Sequence, residues 1–308
     1  MALEVTQSGF LALIQDYGRY GYQGLGVTTG GALDEHAFLW ANRLLGNDYN
    51  APQIEISYGV FSAVFTRNTT IAICGADLSA SINDEAIVPW RTYTVHAGDV
   101  LRLTHAISGL RTYLAVKGGF VSSPHLSSYS TVMREGLGGL EYTGEKLAKG
   151  DLITYKSYAS ERTKQVPPIY IPSYDTHIVL RFIPNTSRTS AGEQALQDFI
   201  GQDYQVTRHS DRMGYRLAGK AIETACTGII SQGISVGAIQ LPADGQPIVL
   251  MKDRQTMGGY PLLGCIAYMD IAKLAQSAPG TQVSFVAVSA SSLVAELIDH
   301  KQFFNLTF

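Results

Sequence analysis

The chain is poor in charge: Asp, Glu, Lys and Arg make up 16% of its 308 residues, against 45% apolar residues. That balance leaves less solvating surface than usual and points to surface covered by a partner. The net charge of −3 comes from scattered residues, which excludes the basic footprint of a nucleic-acid or anionic-membrane binder. Cysteine is scarce as well. The three cysteines, Cys74, Cys226 and Cys265, are far apart and form no CxxC pair, which excludes a disulfide framework and fits a reducing cytoplasm. No apolar run approaches the roughly 18 residues that span a bilayer. The opening "MALEVTQSGF" lacks the basic and apolar regions of a secretory leader, so a soluble, cytoplasmic protein is expected. The seven histidines include no HxH or HExxH and none stands near a cysteine at zinc spacing; no metal site is expected.

What the chain does have is short β-branched and apolar runs broken by Gly, Pro or Asp-Gly, the punctuation of an all-β protein with a few short helices. "VFSAVFTR" (60–67), "TIAIC" (70–74), "TYLAVKGG" (112–119), "HIVLRFI" (177–183) and "TQVSFVAV" (281–288) read as strands. In "GAIQLPADGQPIVLM" two apolar runs flank Ala243-Asp244-Gly245, the clearest hairpin. Helical spacing is confined to "LDEHAFLWANRLLGN", capped by Asp34 and stopped by Gly46; to "SAGEQALQDFIG", with Ser190 and Glu193 at capping-box spacing; and to 268–276 and 291–300. These helices are too few for a parallel βαβ sheet. A proline-rich stretch without periodicity, "SYASERTKQVPPIYIPSYD" (157–175), divides the chain into an N-terminal β domain at 1–158, a linker at 159–174 and a C-terminal β domain at 175–308.

Two short motifs invite a functional reading and fail in their surroundings. In "SDRMGYRLAGKA", Gly214, Gly219 and Lys220 make most of a phosphate loop, but Ala221 replaces the magnesium-binding hydroxyl and "QVTRHSDRM" is too polar for the buried strand that should precede it. "GISVG" matches G-x-S-x-G at Ser235, yet a hairpin follows it where a hydrolase elbow needs a helix.

Two stretches carry more polar groups and glycines than turns require. "IQDYGRYGYQGLGVTTGGALD" (14–34) holds Gln15, Asp16 and Arg19; "KDRQTMGGYP" (252–261) sets Asp253, Arg254, Gln255 and Thr256 beside Gly258, Gly259 and Tyr260. Glycines let a ligand approach closely, while carboxylate, guanidinium and hydroxyl groups can orient a small anionic or amide substrate.

In order along the chain, "LIQDYGRYGYQGLGVTTGGALDEHAFLWANRLLGNDYNAPQIEIS", "SDRMGYRLAG" and "GAIQLPADGQPIVLMKDRQTMGGYPLLGCIAYMDIAKLAQSAPG" resemble the C subunit of bacterial ATP-dependent 5-oxoprolinase. The wider family includes KipA-like proteins and the carboxyltransferase half of urea carboxylase, also called allophanate hydrolase subunit 2. The resemblance implies two cyclophilin-like β-barrel domains. It also implies work beside a B-type (KipI-like) and an A-type subunit that together open 5-oxo-L-proline to L-glutamate while hydrolysing ATP with magnesium, at a location it does not assign. No Met-Lys-Met carrier motif occurs, so no biotin is expected on this chain. Carried over position by position, the resemblance points to Asp253, Arg254 and Thr256 as catalytic, and to Gln15, Asp16, Arg19, Arg212, Arg216, Gln240, Gly258, Gly259 and Tyr260 as substrate-binding. Leu262 stands where the family often has a basic residue, which weakens a phosphate-binding role for this loop. The alternatives are a carboxyltransferase component acting on urea or a related amide, and a KipA-like regulator that binds a kinase inhibitor through its B-type partner.

Overall fold

The structure is a computed structural model that describes residues 2–158, 162–186, 191–224 and 229–306. They fall into two compact units: Met1–Tyr20 with Gly30–Tyr174, and Gly21–Thr29 with Asp175–Phe308. The short segment Gly21–Thr29 therefore groups with the C-terminal unit although it lies early in the chain. The protein is all-β with a few short helices, as its periodicity predicts.

The first unit is built on two sheets that share one core. One sheet runs in the order Leu152–Thr154, Ala2–Ser8, Phe61–Phe65, Val100–Leu103, Ala80–Ile82 and Glu85–Ala86; the other in the order Leu11–Gln15, Gln53–Ser57, Ser108–Val116, Thr69–Asp77 and Arg91–Val95. Leu3, Val5, Phe61 and Phe65 from the first meet Ile54, Ile56, Ile71 and Ile73 from the second. Full burial of side chains of this size contributes roughly 1.5–3 kcal/mol each.

Helix Glu35–Leu45 covers the second sheet at Thr69–Asp77 and Ser108–Val116. Its caps are those expected: the Asp34 side chain accepts from the Ala37 amide at 3.0 Å, and Gly46 ends the helix at φ 62°. Such an N-cap stabilises by about 1 kcal/mol. The stretch read as a linker lies against this unit from Arg162 onward, 159–161 being outside the described residues: Val166 is buried, Tyr170 stacks 5.2 Å from Trp40 and Tyr174 donates to Asp34.

The second unit is a closed barrel in the order His177–Pro184, Leu262–Ile266, Ala238–Gln240, Ile248–Leu250, Gly214–Ala218, Tyr204–Val206 and Gln282–Ala287. A parallel pairing of His177–Pro184 with Gln282–Ala287 closes it. The expected hairpin is present, Ile239 facing Val249 and Gln240 facing Ile248. Gly245 takes φ 70° in its turn, a conformation that glycine adopts without strain.

Phe182, Phe199, Tyr204 and Phe285 pack edge to face and tilted against one another inside the barrel. Helix Glu193–Ile200 supplies Phe199; Ser190 of its expected capping box lies outside the described residues. The last helix, Ala290–Phe303, is tied down by Arg181, whose guanidinium bonds Asp270 and Glu296. No helix among the described residues is long and apolar enough to cross a membrane.

Candidate functional site

The phosphate-loop resemblance dissolves in the barrel. Gly214–Ala218 is a strand, Gly219 and Lys220 form an exposed turn held by Gln202 and Gln246, and no helix follows among the described residues up to Thr224. Ser235 of the G-x-S-x-G stretch is exposed, and strand Ala238–Gln240 follows it where an elbow needs a helix.

The polar cluster grows out of the neighbouring strand pairing. Strand Ile248–Leu250 lies beside Gly214–Ala218, with Leu250 opposite Gly214. Beyond this ladder the two chains stay in contact, since the Met251 amide donates to the Met213 carbonyl and the Asp253 amide to the Arg212 carbonyl. That register sets the two charged side chains side by side. Arg212 Nε donates to Asp253 Oδ2 at 2.9 Å and Nη2 to Oδ1 at 2.8 Å, a two-point pair with both partners buried. The planar guanidinium matches the carboxylate at both oxygens, the geometry that makes such pairs strong and directional.

Three consecutive charged residues, Lys252, Asp253 and Arg254, are all buried. Burying that much charge is costly unless each group has a partner. Lys252 Nζ lies 5.9 Å from the centre of the Tyr268 ring, within cation–π range. Arg254 Nε donates to the Ile234 carbonyl at 3.0 Å. The Gly21–Thr29 segment reinforces this spot, Gln23 Nε2 donating to the same carbonyl and Thr28 Oγ1 to the Arg254 carbonyl.

The first of the paired glycines sits against Ile234. Gly258 joins a two-stranded ladder opposite Gln232, and the Gly259 carbonyl accepts from Ile229. A β-carbon on Gly258 would lie 2.3 Å from Ile234 Cδ1 and 2.7 Å from Gln240 Nε2, so a larger residue there would have to push these side-chain ends aside. Thr256 is half-buried, its carbonyl taken by the Ile234 amide, while Tyr260 is exposed. Cys265 packs near Ser235; burial pushes its thiol up from the ordinary range, although the Ser235 hydroxyl and the Arg254 charge pull the other way. Among the described residues no group of three or more His, Cys, Asp or Glu could hold a metal.

The structure thus gathers Arg212, Gln240, Asp253, Arg254, Thr256, Gly258 and Gly259 in one unit, with Tyr260 at the exposed end of the loop. Arg216 stands apart: it is exposed on its strand between buried Tyr215 and Leu217, away from the pair of Arg212 and Asp253. Lys252 escapes a reading based on types and spacing; three charges directly after the apolar run "PIVLM" are the signal that flags it.

In the first unit, Gln15, Asp16 and Arg19 come together around a different partner, the loop at 125–131. Gln15 Nε2 donates to the Thr131 carbonyl at 2.9 Å and its Oε1 accepts from Gly31. Asp16 accepts from the hydroxyls of Ser128 and Ser130 and from the amides of Gly18 and Tyr129. Arg19 donates from Nε to the His125 carbonyl and from Nη2 to the Ser130 carbonyl. All three side chains are buried. They bind strand Leu11–Gln15 and its exit to a loop more than a hundred residues further on.

One of the two β-built units is thus a closed barrel whose strand ends gather the buried pair of Arg212 and Asp253, a second arginine, Arg254, and a glycine loop. The chain belongs to the carboxyltransferase-domain family, whose description, carboxyltransferase domain, subdomain A and B, matches residues 25–287. It is 35% identical over 310 residues to the C subunit of the Escherichia coli 5-oxoprolinase, covering 98% of this chain and 96% of that one. It is also 35% identical to the C subunit of the Haemophilus influenzae 5-oxoprolinase, covering 90% and 88%. The Saccharomyces cerevisiae urea amidolyase is 30% identical over 94% of this chain, which spans 17% of that protein. Among solved structures, the Kluyveromyces lactis urea carboxylase superposes with a TM-score of 0.89 at 27% identity, over 98% of this chain and 29% of that one.

Proposed function

We propose that this chain works as the C subunit of a 5-oxoprolinase, acting with A- and B-type subunits to open 5-oxo-L-proline to L-glutamate with ATP hydrolysis. The observation that carries the reading is the 35% identity to the C subunit from E. coli across 98% of this chain and 96% of that relative. The chemistry of the second unit supports it. A lactam offers a carbonyl oxygen, an N–H and a carboxylate, and needs donors and an acceptor at fixed positions. In this reading Asp253, held by Arg212, accepts the lactam N–H. Arg254 and Thr256 face the carboxylate and carbonyl, and the Gly258-Gly259 backbone lets the ring approach.

Asp16, Gln15 and Arg19 serve in this scheme by holding the 125–131 loop. The strand and exposed turn at Gly214–Lys220 supply no cradle for ATP phosphates, and the reading routes none through them. Free Cys74 and Cys265 fit a reducing, cytoplasmic setting.

A carboxyltransferase component for urea is the second reading, favoured by the family match and by the superposition on urea carboxylase. One assay separates the two. The chain is purified with its A- and B-type partners and 5-oxoproline-dependent ADP release is measured, in parallel with carboxyl transfer from carboxybiotin to urea. ADP release that depends on all three chains supports the first reading; none in the full mixture, with brisk carboxylation of urea, reverses the order.

A further inference from the structure

Leu25, Ile230, Met257 and Tyr260 are 80%, 93%, 56% and 45% exposed. Single exposed apolar residues are ordinary, but these four stand on three segments of the second unit that hydrogen bonds tie together. Gln23 donates to the Ile234 carbonyl and Thr28 to the Arg254 carbonyl. Gln232 and Gly233 pair with Gly258 and Met257, and the Ile229 amide donates to the Gly259 carbonyl. None of the three segments, 21–29, 229–236 and 255–261, contains Asp, Glu, Lys, Arg or His. Exposed aliphatic, Met and Tyr side chains with no charge among them have the composition of a protein–protein interface centre, not of a solvated surface.

Two glycines on the same segments point to a body outside the chain. Gly24 is the middle residue of the single-turn helix Gln23–Leu25, and Gly233 lies in strand Gln232–Gly233. Neither has a φ in the left-handed region, and a β-carbon on either would meet no atom within 4 Å. Among the described glycines they alone combine the two properties. Glycine weakens a helix or strand relative to alanine, so the fold of this chain gives no reason for either. Close approach of another backbone gives a reason for both.

We propose that these three segments form the docking surface for the B-type subunit, which meets them with an apolar, uncharged segment whose backbone passes over Gly24 and Gly233. The identity of the occupant rests on the proposed function, and the location of the surface on the geometry. The same segments hold the Ile234 carbonyl that anchors Arg254 and the Gly258-Gly259 loop, so the docked subunit borders the candidate site.

The test titrates the purified chain with the purified B-type subunit by calorimetry and follows thermal unfolding of each variant alone. Leu25→Asp and Ile230→Asp should each raise Kd at least about tenfold, the cost of placing a charge in an interface centre. Their melting temperatures should not move, since both residues are exposed. Gly24→Ala and Gly233→Ala should raise Kd about tenfold as well, while the melting temperature holds or rises. Ile169→Asp, at an 87% exposed residue of the first unit, should leave Kd as it is.

Wild-type Kd in the two aspartate variants overturns the proposal. So do alanine variants that melt lower and bind normally, which marks a structural role, or an equal loss of binding in Ile169→Asp, which marks a general effect of added charge. A chain that ignores the B-type subunit but forms a dimer that Ile230→Asp dissolves assigns the surface to a second copy and overturns it too. Binding is read without turnover, so a complex that forms as expected yet releases no ADP on 5-oxoproline counts against the proposed function alone.

Discussion

Asp16 and Asp253 are both buried carboxylates just beyond a strand end, and they differ in what holds them. Asp16 is ringed by neutral donors, two serine hydroxyls and two backbone amides that belong to the loop it fastens and to its own turn. Asp253 is held by a charged partner, Arg212, at both oxygens. The first network closes on itself. The second joins two buried opposite charges brought together by strand register. Neutral donors gathered on one carboxylate fasten a loop, whereas a buried ion pair leaves an uncompensated charge as soon as either partner is removed.

The sharpest way to break this contrast is to remove Asp253. Asp253→Ala leaves Arg212 buried without its carboxylate, a loss of about 3–5 kcal/mol, and turnover of the complex should vanish. Replacing both partners, Arg212→Met with Asp253→Leu, should restore most of the stability without any turnover. Restored activity in that double variant would remove the pair from the site.

Asp16→Ala should cost somewhat less, about 3 kcal/mol, from donors that lose their shared acceptor. Here the loss is read in the melting temperature, while KM and kcat of the folded fraction stay close to wild type. Should Asp16→Asn cripple turnover at an unchanged melting temperature, Asp16 would belong with Asp253 and the comparison would fail.

The same contrast shows what the amino-acid sequence reveals. Local signals are readable: Asp34 and Gly46 bound their helix as expected, and Asp-Gly at 244–245 makes the hairpin that carries Gln240. The polar run after "PIVLM" is readable as a candidate, because three consecutive charges directly after an apolar strand are unusual, and the structure buries all three. The pairing of Arg212 with Asp253 is not readable, since it depends on a register between strands about forty residues apart. Nor is the role of Asp16, whose acceptor capacity is taken up by Ser128 and Ser130, more than a hundred residues away. The placement of Gly21–Thr29 in the second unit is equally hidden, because its contacts with Ile234 and Arg254 are long-range.

A smaller effect comes from Asp270, which anchors the last helix through Arg181. Burial pushes its carboxyl up, but hydrogen bonds from the Arg181 side chain and amide and from Lys273 outweigh that and hold it below its ordinary value. A depressed carboxyl adds stability that is fully present above the unfolded pKa, about 3.9, and is lost as pH falls through the folded value. Asp270→Asn should therefore cost about 1–2 kcal/mol at pH 7, and the gap from wild type should close below about pH 4. A penalty that persists unchanged at pH 3 would show that packing, not charge, is at work.

The smallest effect compares the two described thiols, one in each unit. Cys74 is pushed well above the ordinary range by burial, and the Asp34 carboxylate raises it further. Cys265 is also raised by burial, yet the Ser235 hydroxyl and the Arg254 guanidinium lower it in part. Only the thiolate alkylates. In a Cys226→Ser background, iodoacetamide should therefore leave both thiols nearly untouched at neutral pH, label Cys265 first as the pH rises, and reach Cys74 only when the first unit opens. Cys265 then reports on the charge beside the candidate site. Arg254→Ala should move its labelling to higher pH, because a cation that favours the thiolate is gone. Labelling of Cys265 that ignores Arg254 would mean the guanidinium points its charge elsewhere and would weaken its assignment to the substrate carboxylate.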